Sequence, residues 1–93
     1  MNLKRLHPGD HVHATRLADL LPDLIDNRPG AYEPIVRVHW AVNAELSRRQ
    51  MATVPLGSMV RLMRAAGWTI QTTTRDGRRS TYVLDLALMG GAA

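Results

Sequence analysis

The chain is 93 residues long and 45% hydrophobic, with twelve Lys and Arg against eight Asp and Glu, a formal net charge of +4 and no cysteine. That length and apolar content fit one domain with a single modest core. Disulfides, thiolate metal sites and cysteine nucleophiles are excluded, no apolar run approaches the ~20 residues that span a bilayer, and the start M-N-L-K-R-L-H-P-G-D lacks a signal-like segment, so a cytoplasmic protein without a membrane partner is expected.

Residues 1–30 read as an N-terminal arm and an accessory helix. His7, Asp10, His11 and His13 fall within seven residues, and His11 with His13 would share one face of a strand, from which a Zn or Ni site can be imagined. Histidines of a solvated arm are the commoner case, and only the distant His39 remains as a further ligand, so no metal and no cofactor is assigned. Leu17, Leu20, Leu21, Leu24 and Ile25 recur at helical spacing after Thr15, a suitable N-cap. Pro22 inside this pattern predicts a kink or a break.

Asn27, Arg28, Pro29 and Gly30 read as a loop, and Pro34 suits the first turn of a second helix carrying Ile35, Val38, Val42 and Leu46. Val36 and Trp40 fall on another side of that helix, which predicts contact with neighbouring elements or with a dimer partner. His39, beside Trp40, is a packing residue in this reading, since no Ser or Asp stands at triad spacing. An unbroken helix through Ala52 would rotate Arg49 onto the core side, so a break is expected between Asn43 and Ser47. Ser47 and Gln50 then resemble a capping box for a short helix.

A third major helix is expected over about residues 54–66, capped by Thr53 in preference to Ser58, with Pro55 in its first turn. Its apolar positions are Leu56, Met59, Val60, Met63 and Ala66, and its opposite face collects Gly57, Ser58, Arg61, Arg64 and Ala65. Gly67 supplies a left-handed cap, and residues 68–88 form a hairpin rich in Thr, Tyr, Ile and Val. A two-residue Asp76-Gly77 turn would put Tyr82 and Leu84 opposite Val83. A three-residue loop of Arg75, Asp76 and Gly77 instead gathers Trp68, Ile70, Tyr82, Leu84 and Leu86 on one face, and is the register expected here.

The hairpin tip then carries Arg75, Arg78 and Arg79 around Asp76. Such a cluster can be no more than a solvated tip that discourages edge pairing. Charge asymmetry argues for more: residues 1–46 hold five Lys and Arg and six Asp and Glu, whereas residues 47–93 hold seven Arg and two acids. Positive charge collected on one half of a chain is expected of a surface that displaces counterions from a polyanion.

The order helix, helix, turn, helix, Gly, strand, D-G-R wing, strand over about residues 33–86 resembles a winged helix-turn-helix domain, and A-A-G-W with R-D-G-R-R is similar to the helix ending and wing of MarR-like regulators. The resemblance implies an α+β, mostly helical fold of three to four helices with a C-terminal β-hairpin wing, as one domain spanning 1–93. It implies a sequence-preferring double-stranded DNA-binding protein, a transcriptional regulator or a phage or mobile-element control factor, in a bacterial or phage-infected host cell. Asp76 and Gly77 would shape the wing, with Arg75, Arg78 and Arg79 on the minor groove or phosphates. Ser58 and Arg61 would face base edges, and Arg64 with Arg48 or Arg49 would hold phosphates. The long terminal helices of MarR-like dimers do not fit in this chain, so their dimerisation and ligand sensing do not carry over. So few base-reading side chains predict a homodimer or cooperative oligomer. The alternative is a protein–protein adaptor or phage assembly component working through Val36 and Trp40. RNA binding ranks last, because Trp68 and Tyr82 are expected in the core. With no phosphate loop, paired carboxylates or nucleophile elbow, neither catalysis nor a small-molecule substrate is expected.

Overall fold

The computed structural model describes residues 8–89. A 3-10 turn at Pro8–Asp10 leads into helix α1 (His11–Leu24), strand β1 (Ile25–Pro34), helices α2 (Ile35–Arg48) and α3 (Leu56–Ala65), and a hairpin of β2 (Ile70–Arg75) and β3 (Arg78–Leu88). The sheet is antiparallel with order β1-β3-β2, so the last strand lies in the middle and joins the first half of the chain to the hairpin. Among the described residues no helix is long and apolar enough to cross a membrane.

One core holds the helices against the sheet: Leu17 and Leu20 of α1, Val38, Val42 and Leu46 of α2, Met59, Leu62 and Met63 of α3, and Val83 and Leu86 of β3. Complete burial of an aliphatic side chain of this size contributes about 1.5–3 kcal/mol, so this cluster is the main source of stability.

Several boundaries differ from expectation, each for a local reason. Helix α1 begins at His11, before Thr15, so Thr15 is an interior residue, and His11 and His13 ride on a helix instead of a strand. Pro22 lies inside the last turn and cannot donate to the Ala18 carbonyl, yet the helix is not broken there and runs on to Leu24. Asn27–Gly30 is not a free loop: residues 25–27 and 32–34 pair with β3, and 28–31 bulge out between them. Helix α2 does not break at 43–47. It continues to Arg48 because Glu45 accepts hydrogen bonds from both Arg48 and Arg49, with 2.7 Å from the Nε of Arg49, and Asp23 of α1 also takes Arg49 at 2.9 Å. The expected Ser47–Ala52 helix is replaced by a stop, where Gln50 adopts φ 59° and the Gln50 and Met51 N–H groups bond to the carbonyls of Ser47 and Leu46.

The segment entering α3 is fastened to α2. Asn43 accepts the Val54 N–H at 2.9 Å and donates to the Val54 carbonyl at 3.1 Å, and His39 Nε2 lies 2.7 Å from that same carbonyl. His39 thus serves packing, and Val54 is held in the core. Helix α3 starts at Leu56 after Pro55, not at a Thr53 cap, and ends with Gly67 at φ 101° as its sequence indicates.

The hairpin turns through two residues. Asp76 and Gly77 have φ of 54° and 76°, the left-handed pair of a type I′ turn, and Arg75 faces Arg78. Ile70 therefore pairs with Val83, and the three-residue loop is corrected. What favours that loop in sequence is that a two-residue turn leaves Tyr82 and Leu84 on the face opposite Val83, and that is where they lie; Leu86 joins Val83 in the core through a bulge. Asp85 takes φ 58°, which reverses the strand's alternation, and its carboxylate accepts the Gly30 N–H at 2.9 Å across the bulged β1. Val83 and Leu86 consequently point inward, while Tyr82 and Leu84 lie on the face away from the helices.

Candidate nucleic-acid interface

Helix α3 buries Ser58, Met59, Leu62 and Met63. The inward stripe is thus rotated from the expected one, with Leu62 inside and Leu56 partly exposed. Ser58 is corrected from base reader to buried residue, since its hydroxyl receives the Arg61 guanidinium at 3.3 Å. Gly57, Arg61, Arg64 and Ala65 are exposed.

Arg61 is engaged from within. Its Nε donates to Asp10 at 2.7 Å and its terminal nitrogen to the other carboxylate oxygen at 3.0 Å, and Asp10 is only 1% exposed. The hydrogen bond to Asp10 raises the guanidinium pKa above its ordinary value. A bidentate grip of this kind fixes direction as well as charge, so Arg61 ties the N-terminal turn to α3 before it can address anything outside. It also removes Asp10 from any histidine cluster. His13 Nδ1 is likewise taken, by Arg16 at 2.5 Å, and His7 lies outside the described residues.

Carboxylate partners divide the arginines into two sets. Arg28 pairs with Asp26, Arg37 with Glu33, Arg48 with Glu45, Arg49 with Asp23 and Glu45, and Arg61 with Asp10. Arg64, Arg75, Arg78 and Arg79 are exposed and make no ion pair among the described residues. Arg48 and Arg49, expected on phosphates, are therefore bound within the α1–α2 edge; among the described residues the four exposed guanidinium groups without a carboxylate belong to α3 and the hairpin, and Arg16 of α1, also without one, is half-buried and bonded to His13.

Strand parity separates the tip arginines. Arg79 pairs with Thr74 on the face that also carries Ile70 and Val83, toward the helices. Arg75 and Arg78 pair with each other on the opposite face, together with Gln71, Thr73, Ser80 and Tyr82. Tyr82 is not in the core as expected: it meets the exposed Tyr32 of β1 edge to face, with ring centroids 5.5 Å apart.

A separate apolar surface lies on α2. Val36 and Trp40 are 64% and 68% exposed, and Trp40 borders a groove lined by Leu24, Ala44, Leu88 and Met89. The expected contact of this side with neighbouring elements of the chain is not made.

No family model matches the chain, and no curated protein matches it.

Proposed function

We propose that the chain is a winged helix-turn-helix protein that binds double-stranded DNA, with α3 in the major groove and the hairpin as the wing. The observation that carries this reading is the segregation of exposed cations: among the described residues Arg28, Arg37, Arg48, Arg49 and Arg61 are neutralised by carboxylates and Arg16 is half-buried against His13, whereas Arg64, Arg75, Arg78 and Arg79 present exposed, uncompensated charge on the two elements that such a protein lays on DNA. The element order and the β1-β3-β2 sheet agree with it. Arg64 and Arg79 bind phosphates, and the type I′ turn at Asp76-Gly77 carries Arg75 and Arg78 to the backbone or the minor groove. With Ser58 buried and Arg61 held by Asp10, α3 has few free side chains for base edges. Sequence preference then comes from two copies or from DNA shape, as for a transcriptional regulator or a control factor of a phage or mobile element.

The test is fluorescence anisotropy of a labelled random-sequence duplex at several salt concentrations, with an Arg78→Ala/Arg79→Ala variant beside the parent chain. Affinity should fall steeply with salt, and the variant should lose about two from the slope of log K against log salt, roughly one per lost phosphate contact. Absence of binding at low salt would overturn the reading. The exposed Val36 and Trp40 surface favours the second reading, a protein–protein adaptor, in which the arginines are merely solvated.

A further inference from the structure

The face of the sheet turned away from the helices carries, beside the wing arginines, an exposed aromatic ring at Tyr32 that a duplex-binding wing does not use. We propose that this face binds single-stranded DNA, with a base stacked on Tyr32 and the adjoining phosphates held by Arg75 and Arg78.

Three features of the face converge on that ligand. Tyr32 is 63% exposed, and Tyr82 meets it edge to face at 89°, an arrangement that leaves ring surface open for a flat partner. An aromatic ring offered on a sheet surface accepts any unpaired base, because every base has a π-face; bases inside a duplex are already stacked and cannot reach it. Secondly, Arg75 and Arg78 stand directly opposite each other in the last rung of the hairpin. Like charges in that position repel, and a phosphate between them turns the repulsion into attraction. Thirdly, the stretch between ring and cations is polar: Thr73 pairs with Ser80 and Gln71 with Tyr82, so amide and hydroxyl groups line the path. Tyr82 lies four positions along the strand from Arg78, about 13–14 Å of extended chain, enough to follow a few nucleotides. Among the described residues that line this face, the carboxylate is that of Asp76, in the turn itself.

This ligand differs from the duplex of the proposed function, and the two can be separated. A fluorescein-labelled oligothymidylate and a labelled duplex are titrated in parallel with the parent chain, Tyr32→Ala, Tyr32→Phe and Arg75→Ala/Arg78→Ala. The parent is expected to bind the oligothymidylate. Tyr32→Ala should weaken that binding about 5- to 150-fold, the equivalent of the ~1–3 kcal/mol of one base–aromatic stack, and should leave duplex affinity unchanged. Tyr32→Phe keeps the ring and should restore binding; the double arginine variant should lose both affinity and salt dependence. The exposed position of Tyr32 allows the variants to fold, which their thermal melts check. Failure of the parent to bind the oligothymidylate, or an unchanged affinity in Tyr32→Ala, overturns the proposal whether or not the duplex binds. Tighter binding of oligouridylate than of oligothymidylate also overturns it, because the 2′-hydroxyl would then mark RNA as the ligand.

Discussion

Arg61 and Arg64 lie one turn apart on α3 and look equivalent in the sequence, yet they do different work. Arg61 closes on the buried Asp10, whereas Arg64 faces solvent without a carboxylate. Removing Arg61 takes a two-pronged charged partner from the buried Asp10 and unties the N-terminal turn from α3, while removing an exposed unpaired cation changes little in the fold. Arg61→Ala is therefore expected to lower the melting temperature clearly, and Arg64→Ala to leave it within about ±0.5 kcal/mol of parental stability while weakening duplex binding; thermal melts and anisotropy on the same pair of variants check both halves. Which arginines are free was only partly legible in the sequence, because the carboxylate that occupies Arg61 and the second one that occupies Arg49 sit 51 and 26 positions away. The local pairs of Glu45 with Arg48 and Arg49, at helical spacing, were there to be read. Glu45 adds a pH dependence. Hydrogen bonds from Arg49, and next from Arg48, hold its carboxyl below the ordinary value of 4.5. A depressed carboxylate contributes stability above its unfolded pKa and loses it as pH falls through the folded one. The parent chain should melt higher than Glu45→Gln at neutral pH, and the gap should close as pH drops below about 4.5; a gap constant with pH would remove the ion cluster from the account.

At the scale of elements, the ends of the helices carry the clearest lesson. Both α2 and α3 stop in the same way, with a left-handed residue and two backbone bonds back into the last turn, but α3 uses Gly67 and α2 uses Gln50. A glycine announces such a stop and a glutamine does not, so the end of α3 was legible and that of α2 was read as a new helix start. The left-handed conformation costs a side-chain-bearing residue about 1–2 kcal/mol, part of which glycine returns through greater freedom when unfolded. Gln50→Gly should accordingly stabilise the chain by about 0.5–1 kcal/mol in a urea titration, and a loss of stability would mean that the Gln50 side chain makes a contact of its own. The hairpin shows the complementary difficulty. Its turn residues and its strands were readable, but face assignment rests on parity, and the single left-handed Asp85 reverses parity between Val83 and Leu86. A bulge of this kind leaves only one cue in sequence, a lone aspartate inside an apolar strand. Strand β1 was hidden for a related reason, since its Arg28-Pro29-Gly30 bulge has the composition of a loop.

For the molecule as a whole, β3 matters most because two regions of different stability share it. Its second half lies in the core between β1 and the helices, with Leu86 and Ala87 buried, whereas its first half pairs only with β2, and residues 71–80 bury no side chain. Local opening follows burial, so hydrogen exchange should protect the amides of β3 from Val83 onward at close to the global stability, with protection falling toward Arg78. Uniform protection along the strand would show that the hairpin opens only with the whole domain. The position of the uncompensated cations on this less supported part also means that their replacement leaves the core untouched, which suits the binding tests above.

The Asp76-Gly77 turn has a further consequence for how such a hairpin can be lengthened. Adding one residue to each strand between the Thr72–Thr81 and Thr74–Arg79 rungs leaves Ile70 opposite Val83 and the core intact, yet every rung beyond the insertion changes sides. Arg75 and Arg78 would then turn toward the helices and Arg79 away from them. A second added pair would return them to their present sides, so the hairpin is a binary selector: odd extensions exchange the surfaces that its arginines serve, and even extensions only move them farther out.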